Sequence, residues 1–289
     1  MQPVNLLTNG GDDEHAPNLE NRVAYQWRDG QNTVGYRHAT RRDEVVLRWL
    51  AEAVREGSAP QATLDVGCAY GNYTLMLNAR LGCDPAVSLH AVDLHEPHLA
   101  YGRAFAEQVP GYANCHFERV DIEKPLPFGD ATFDAICFAD VLEHLEQPVQ
   151  VLRELRRVTK PGGVIIISTP LRTSVFKSAA ARVNALTRGR TYKAYYAGKD
   201  SHLDEAGQPV MEVASGHDHI SEMTLPELQV AATAAGLRVR DYELMAVMSG
   251  SRWFDKHPFM LSGVMFIEAV HQVLKRPSWA HAVVLRLER

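Results

Sequence analysis

Asp65, Gly67, Ala69 and Gly71 alternate through Leu64-Asp65-Val66-Gly67-Cys68-Ala69-Tyr70-Gly71-Asn72-Tyr73, an apolar run that ends in a turn of small residues. Small residues let backbone approach a ligand closely. A helix start behind such a turn, with exposed N–H groups and a positive dipole, favours a carboxylate or phosphate. A second apolar run, Val87 to Asp93, ends in an acid about 26 residues after Gly67, where doubly wound folds set a carboxylate on ribose hydroxyls. The pair of features points to a ligand bearing a nucleoside. Gly67-Cys68-Ala69-Tyr70-Gly71-Asn72 lacks the third glycine of the dinucleotide fingerprint, which disfavours a nicotinamide cofactor.

A second constellation lies downstream. Asp140, Glu143 and His144 are spaced i, i+3, i+4 and share one face if a helix follows the strand before them. Two carboxylates and an imidazole suit a divalent ion such as Mg²⁺ or Mn²⁺, with His217 or His219 completing the shell from a later loop. The same residues admit two other readings: His144 or His217 as a metal-free general base, and roles in helix packing alone.

These side chains need elements to position them. Apolar runs predict strands near 62–66, 88–92, 115–119, 134–139 and 163–168, with helices near 72–81, 97–108 and 147–159. Such alternation makes an α/β fold, a doubly wound and mostly parallel Rossmann-like sheet with helices on both faces and ligands at the C-terminal strand ends. Asp65, Asp93, Asp121 and Asp140 all fall at or just after those ends, which sets four acids on one rim.

Around this core, residues 58–170, the rest divides by composition. Residues 1–20 read as a mobile arm, and 21–57 as one or two amphipathic helices. Within 171–216, the stretch 171–199 carries Arg172, Lys177, Arg182, Arg188, Arg190, Lys193 and Lys199 with no acid, and interleaves aromatics. It reads as a lid over the rim or as a solvated helix with a basic face. In 217–289, Thr224 and Glu227 form a capping box and Gly236 a C-cap, and a helical excursion from Phe259 to Leu274 is markedly apolar. Packing or dimerisation explains that excursion, with interfacial membrane contact as the other reading.

A chain of 289 residues, 46% hydrophobic and 22% charged, buries a large core as one domain with embellishments. Its net charge of -5 argues against nucleic acid as a partner for the whole surface. Cys68, Cys83, Cys115 and Cys137 lack metal-type pair spacing and read as reduced thiols, and no export signal or membrane span is legible. The expectation is a cytoplasmic protein.

On these motifs the chain resembles the class I S-adenosylmethionine-dependent methyltransferases, whose first motif runs acid-x-Gly-x-Gly-x-Gly. Asp65, Gly67, Ala69 and Gly71 occupy those places, with alanine for the middle glycine. Asp121-Ile122 with Pro125-Leu126-Pro127-Phe128, then Val141-Leu142-Glu143-His144-Leu145, then Lys160-Pro161-Gly162-Gly163, match later family segments in order. The resemblance implies seven strands ending in an antiparallel pair, and S-adenosylmethionine as cofactor. It puts the backbone of Gly67, Ala69 and Gly71 along the methionine portion with Asp65 and Cys68 in the same motif, Asp93 and Leu94 at the ribose, Asp121 and Ile122 at the adenine, and Ala139 at the end of the fourth strand. N-terminal helices close over the cofactor in this family; Arg37 is the candidate to pair its carboxylate, or else an ordinary surface arginine. Acid-x-x-Glu-His followed by a distant histidine resembles the metal-dependent O-methyltransferases of ubiquinone biosynthesis and of small RNA, with Asp140 in place of their glutamate. The implied activity is methylation of a hydroxyl on a small molecule, glycan or lipid-linked intermediate. The alternatives are N-methylation, RNA 2′-O-methylation and a non-catalytic binding subunit.

Overall fold

The computed structural model describes residues 33–57, 59–172, 174–175, 220–247 and 257–289. The arm at 1–20, most of the basic segment after Arg172, His217 and His219 lie outside the described residues.

Seven strands form one sheet: β1 (Gln61–Val66), β2 (Val87–Asp93), β3 (Cys115–Arg119), β4 (Phe133–Ala139), β5 (Thr159–Pro170), β6 (Arg238–Met245) and β7 (Ala282–Glu288). Their order is β3-β2-β1-β4-β5-β7-β6; β1 to β5 are parallel, and β7 runs antiparallel to both neighbours. The sequence-based expectation of a doubly wound sheet with a terminal antiparallel pair is met. The order reverses between β1 and β4, and at such a switch point the loops leaving the strand ends part to leave a crevice.

β4 reads Phe-Asp-Ala-Ile-Cys-Phe-Ala and is buried along almost its whole length, as a strand covered on both faces must be. Period-two alternation still sorts its side chains: Ile136 and Phe138 face one apolar layer, Ala135 and Cys137 the other. The first layer is closed by α4 (Pro148–Val158) and α5 (Leu225–Ala234), the second by α1 (Thr33–Glu56), α2 (Asn72–Arg80) and α3 (Glu96–Gln108). α1 is one helix of 24 residues that buries Val46, Trp49, Leu50 and Val54 on the sheet. It is fastened at its edges by Arg48 to Glu243 (2.9 Å) and Glu52 to Arg286 (3.0 Å), which tie it to β6 and β7.

Local signals at α5 hold as expected. Thr224 N donates to Glu227 at 2.8 Å while Glu227 N donates back to Thr224 Oγ1. Gly236, at φ 77, closes the helix with Leu237 N donating to Ala232 O at 2.9 Å. α6 (Pro258–Leu274) then leads through a single 3₁₀ turn, Pro277–Trp279, into β7. Among the described residues no helix is long and apolar enough to cross a membrane, and all four cysteines are free.

Candidate active site

The chain leaves β1 through a turn that folds back on itself. Gly67 N and Cys68 N both donate to Val92 O (2.8 and 3.0 Å), and Gly71 N donates to Cys68 O (2.8 Å). Gly67 (φ 70) and Gly71 (φ 79) are left-handed, and a Cβ would stand 2.5 Å from Val141 at the first and 2.2 Å from Phe117 at the second. Glycine is required at both places for conformation and for space. Ala69 is left-handed as well (φ 47), a strain of about 1 kcal/mol that a third glycine would avoid. These N–H groups are spent on the turn itself. What the turn offers a ligand is backbone carrying nothing larger than a methyl at positions 67, 69 and 71.

Asp93 holds this turn from the next strand. Its Oδ2 accepts from Ala69 N (2.8 Å) and its Oδ1 from His95 N (2.8 Å), and a carboxylate with two bonds keeps lone pairs for more donors. Leu94, more than half exposed, adds apolar surface beside it. After β3, Asp121 accepts from Glu123 N and pairs with Lys124 (2.9 Å); the bond from Lys124 first, then that backbone N–H, hold its carboxyl below the usual range. Ile122 packs partly buried beside it, and Ala139 ends β4 partly covered. An open acid at the end of β2, another after β3 and a small-residue turn between β1 and α2 fit a nucleoside with an amino-acid tail.

Asp65 departs from the expected rim of four acids. It is 5% exposed beneath the turn, where its Oδ2 accepts from Thr74 Oγ1 at 2.9 Å and anchors the start of α2. Burial pushes its carboxyl up to about 6, against hydrogen bonds from Thr74 and Cys137 that pull it down. It shapes the turn from below. Cys68 is likewise buried, its thiol pushed up by that burial.

On the other side of the switch point the second constellation does not assemble as read. Asp140 leaves β4 in a left-handed conformation (φ 56), so helical spacing does not start there, and Leu142–His144 make only a 3₁₀ turn. Glu143 is 2% exposed and accepts from Thr169 Oγ1 at 2.9 Å, while His144 is exposed. Among the described residues no three His, Cys, Asp or Glu side chains come together as ligands for an ion. The proposed metal set of Asp140, Glu143, His144 and His219 therefore does not fit within what is described, and no step is derived through a metal. Of the candidate catalytic residues, Asp140 is bonded to Arg42 and Ser168, His144 is exposed, and His217 lies outside the described residues.

Asp140 instead meets a cation from α1. Its Oδ2 pairs with Arg42 and its Oδ1 accepts from Ser168 Oγ at 2.9 Å. Arg42 also bonds Asp43 (3.1 Å), and Asp43 accepts from Tyr73 Oη at 2.6 Å, which links α1 to α2 over the strand ends. The guanidinium is held charged, Asp140 first among its partners overcoming burial, and burial pushes the Tyr73 hydroxyl up. One turn earlier, His38 sits in the field of Arg42, His281 and Asp140. Burial drives its imidazole down to about 3, with Arg42 next, so it is neutral, and its buried Nδ1 has no partner among the described residues. Arg37 is exposed on α1 and has no part in this network.

Arg42 and Asp43 were not singled out by sequence reasoning, nor was His281, although α1 holds a signal for the first two. Val46, Trp49, Leu50 and Ala53 form its buried stripe, and Arg42 and Asp43 continue that stripe one turn back. Charges on an apolar helix face are seldom there unless paired. Arg37 falls on the stripe of Glu44 and Arg55, which faces outward.

The sequence profile described as a methyltransferase domain matches residues 64–167. An uncharacterized methyltransferase of Schizosaccharomyces pombe is 34% identical over 134 residues, 44% of this chain and 45% of the relative. The ubiquinone biosynthesis O-methyltransferase of Pseudomonas aeruginosa is 26% identical over 147 residues, 51% of this chain and 59% of the relative. The chain thus spans about half the length of the curated relatives it matches. Among solved structures, geranyl diphosphate C-methyltransferase of Streptomyces coelicolor A3(2), in complex with Mg²⁺, geranyl diphosphate and S-adenosyl-L-homocysteine, superposes with TM-score 0.53 at 15% identity, covering 85% of this chain and 77% of that one. The [4+2]-cyclase SpnF superposes with TM-score 0.52 at 19% identity, covering 86% and 80%. With the ordered motifs, the matched profile and the sheet topology in agreement, residues 64–167 form a methyltransferase domain of the class I S-adenosylmethionine-dependent kind.

Proposed function

We propose that the protein transfers the methyl group of S-adenosylmethionine to a hydroxyl oxygen of a small molecule, glycan or lipid-linked intermediate. The observation that carries this reading is the division of the rim at the switch point, with the acids Asp93 and Asp121 and a small-residue turn on one side and a hydrogen-bonded polar cluster around Arg42 on the other. The backbone at Gly67, Ala69 and Gly71 takes the methionine end, Asp93 the ribose hydroxyls, and Asp121 with Ile122 the adenine side. That orientation directs the sulfonium toward the end of β4.

Methyl transfer from a sulfonium is a direct displacement. The carbon–sulfur bond breaks as the carbon–oxygen bond forms, sulfur keeps the electron pair as a neutral thioether, and the hydroxyl gives up its proton during attack. His38 is the neutral imidazole on the acceptor side, and a ring nitrogen without a partner is suited to receive the hydroxyl hydrogen bond. The Arg42–Asp140 pair fixes charge at the end of β4, so that the acceptor meets an oriented ion pair rather than water. The O-methyltransferase relatives favour oxygen over nitrogen as acceptor, whereas the likeness of SpnF to this fold is a reminder that the scaffold alone does not set the chemistry.

The test has two stages. Calorimetry with S-adenosylhomocysteine comes first, with binding expected for the native chain. Labelled methyl donor is then offered with hydroxyl-bearing and amine-bearing acceptors, and the label is expected on oxygen. Label on nitrogen overturns the hydroxyl reading, and binding without transfer to any acceptor points to a non-catalytic subunit.

A further inference from the structure

We propose that the outward face of α6 is a docking surface for an anionic lipid bilayer, on which the helix lies flat. The two faces of α6 have opposite fates. Val264 and His271, seven residues apart, are buried, and Glu268 between them turns inward to accept from Val247 N at 2.8 Å. Phe259, Phe266 and Val273 repeat at the same spacing on the opposite side and are 94%, 69% and 81% exposed. Between them, Gly263 has open space where a side chain would be. The stripe runs the length of a 17-residue helix, about 25 Å, and comprises large side chains that monomeric surfaces seldom leave in water.

Charge decides what covers it. Glu268 is the only acid in the helix and it faces the protein, so the outward face has none. Exposed Lys275 and Arg276 follow the last turn. An apolar stripe with no acid on its face that runs up to a pair of exposed cations matches acyl chains beneath anionic headgroups. A second copy paired in parallel would set these cations beside each other. The helix does not meet the length and apolarity of a membrane span, so the contact is with the surface of the bilayer.

The position adds a reason for it. α6 packs on α1, which carries His38 and Arg42, and it leads through the 3₁₀ turn to His281, whose carbonyl accepts from Leu171 N at the end of β5 (2.8 Å). A protein seated by α6 therefore holds the acceptor side of its rim close to the lipid. The docking surface stands whether the acceptor is an alcohol or an amine.

Vesicle flotation tests it, using the full chain with phosphatidylcholine vesicles and with vesicles that include phosphatidylglycerol. The native chain is expected to float with the anionic vesicles and to do so roughly tenfold less with the neutral ones or in high salt. Replacing Phe259, Phe266 and Val273 together by Ser should abolish flotation, and K275E with R276E should weaken it roughly tenfold. The triple Ser variant should keep the native melting temperature, and both variants should keep S-adenosylhomocysteine binding, since the altered side chains are exposed and lie outside the proposed donor site. Failure of the native chain to float overturns the proposal. So does a native dimer in sedimentation that the triple Ser variant converts to monomer, which would give the stripe to a second copy.

Discussion

The two sides of the rim are built in different ways. On the donor side the backbone hydrogen bonds that shape the turn join consecutive strands: the turn after β1 bonds to the end of β2, and Asp93 reaches back to Ala69. On the acceptor side the contacts join elements distant in sequence, as when Arg42 of α1 meets Asp140 beyond β4 and Ser168 of β5 supports them. The matched profile, 64–167, contains the whole donor side but leaves out α1, α6 and β7. The proposed donor side thus lies within one contiguous module, and the proposed acceptor side also draws on segments outside it.

The comparison is most severely tested by removing the donor-side turn. Gly71→Val puts a branched side chain at φ 79 and against Phe117, and should destabilise the protein by about 4 kcal/mol or more. Gly82→Ala is the control, because Gly82 has nearly the same φ (78) with nothing within 4 Å, and it should cost only about 1 kcal/mol. Thermal melts of the two variants separate crowding from backbone strain. Equal losses would mean that the close approach to Phe117 contributes nothing.

The next effect divides the two sides. Asp93→Ala removes the acceptor for two backbone N–H groups and the ribose, and should weaken S-adenosylhomocysteine by about 100-fold in calorimetry. Arg42→Met should leave that affinity within about threefold and lower turnover at least about tenfold, because its partner Asp140 belongs to the acceptor side. If both variants lose donor affinity equally, the rim is one site and the division fails.

Asp65 gives a pH signature of the donor side alone. Its folded carboxyl, raised to about 6, holds a proton that the unfolded chain releases near 3.8. As pH rises through that window the unfolded state loses its proton first, so stability falls, and the penalty is fully present above 6. Asp65→Asn removes the charge and retains an acceptor for Thr74. Relative to the native chain it should gain on the order of 2 kcal/mol between pH 4 and pH 7, read from paired melts. A constant difference across that range would show that Asp65 is solvated.

The donor side was also the legible side. Period-two and period-3.6 patterns located each strand and helix of the core, because local burial imposes them. The Gly67–Gly71 turn and Asp93 stood at spacings set by the same geometry. The acceptor side was misread where a long-range contact outweighed a local pattern. Asp140, Glu143 and His144 have helical spacing, but a left-handed residue at 140 sends Glu143 to Thr169 and leaves Asp140 to Arg42. Arg42 went unread, and the apolar stripe of α1 is what sets it apart from the outward Arg37.

The smallest effect concerns the one motif position that departs from glycine. Ala69 is left-handed at φ 47, and its N–H is held by Asp93. Glycine there would relieve about 1 kcal/mol of strain in the folded chain, but it would also widen the unfolded ensemble, which offsets roughly half of that. Ala69→Gly should therefore raise the melting temperature by only about 1–2 °C. Donor affinity should stay within about twofold, since the backbone already has the shape that glycine would allow. A fall in stability would mean that the Ala69 methyl packs well enough to outweigh the strain, and the substitution would then strengthen the donor side instead of being tolerated by it.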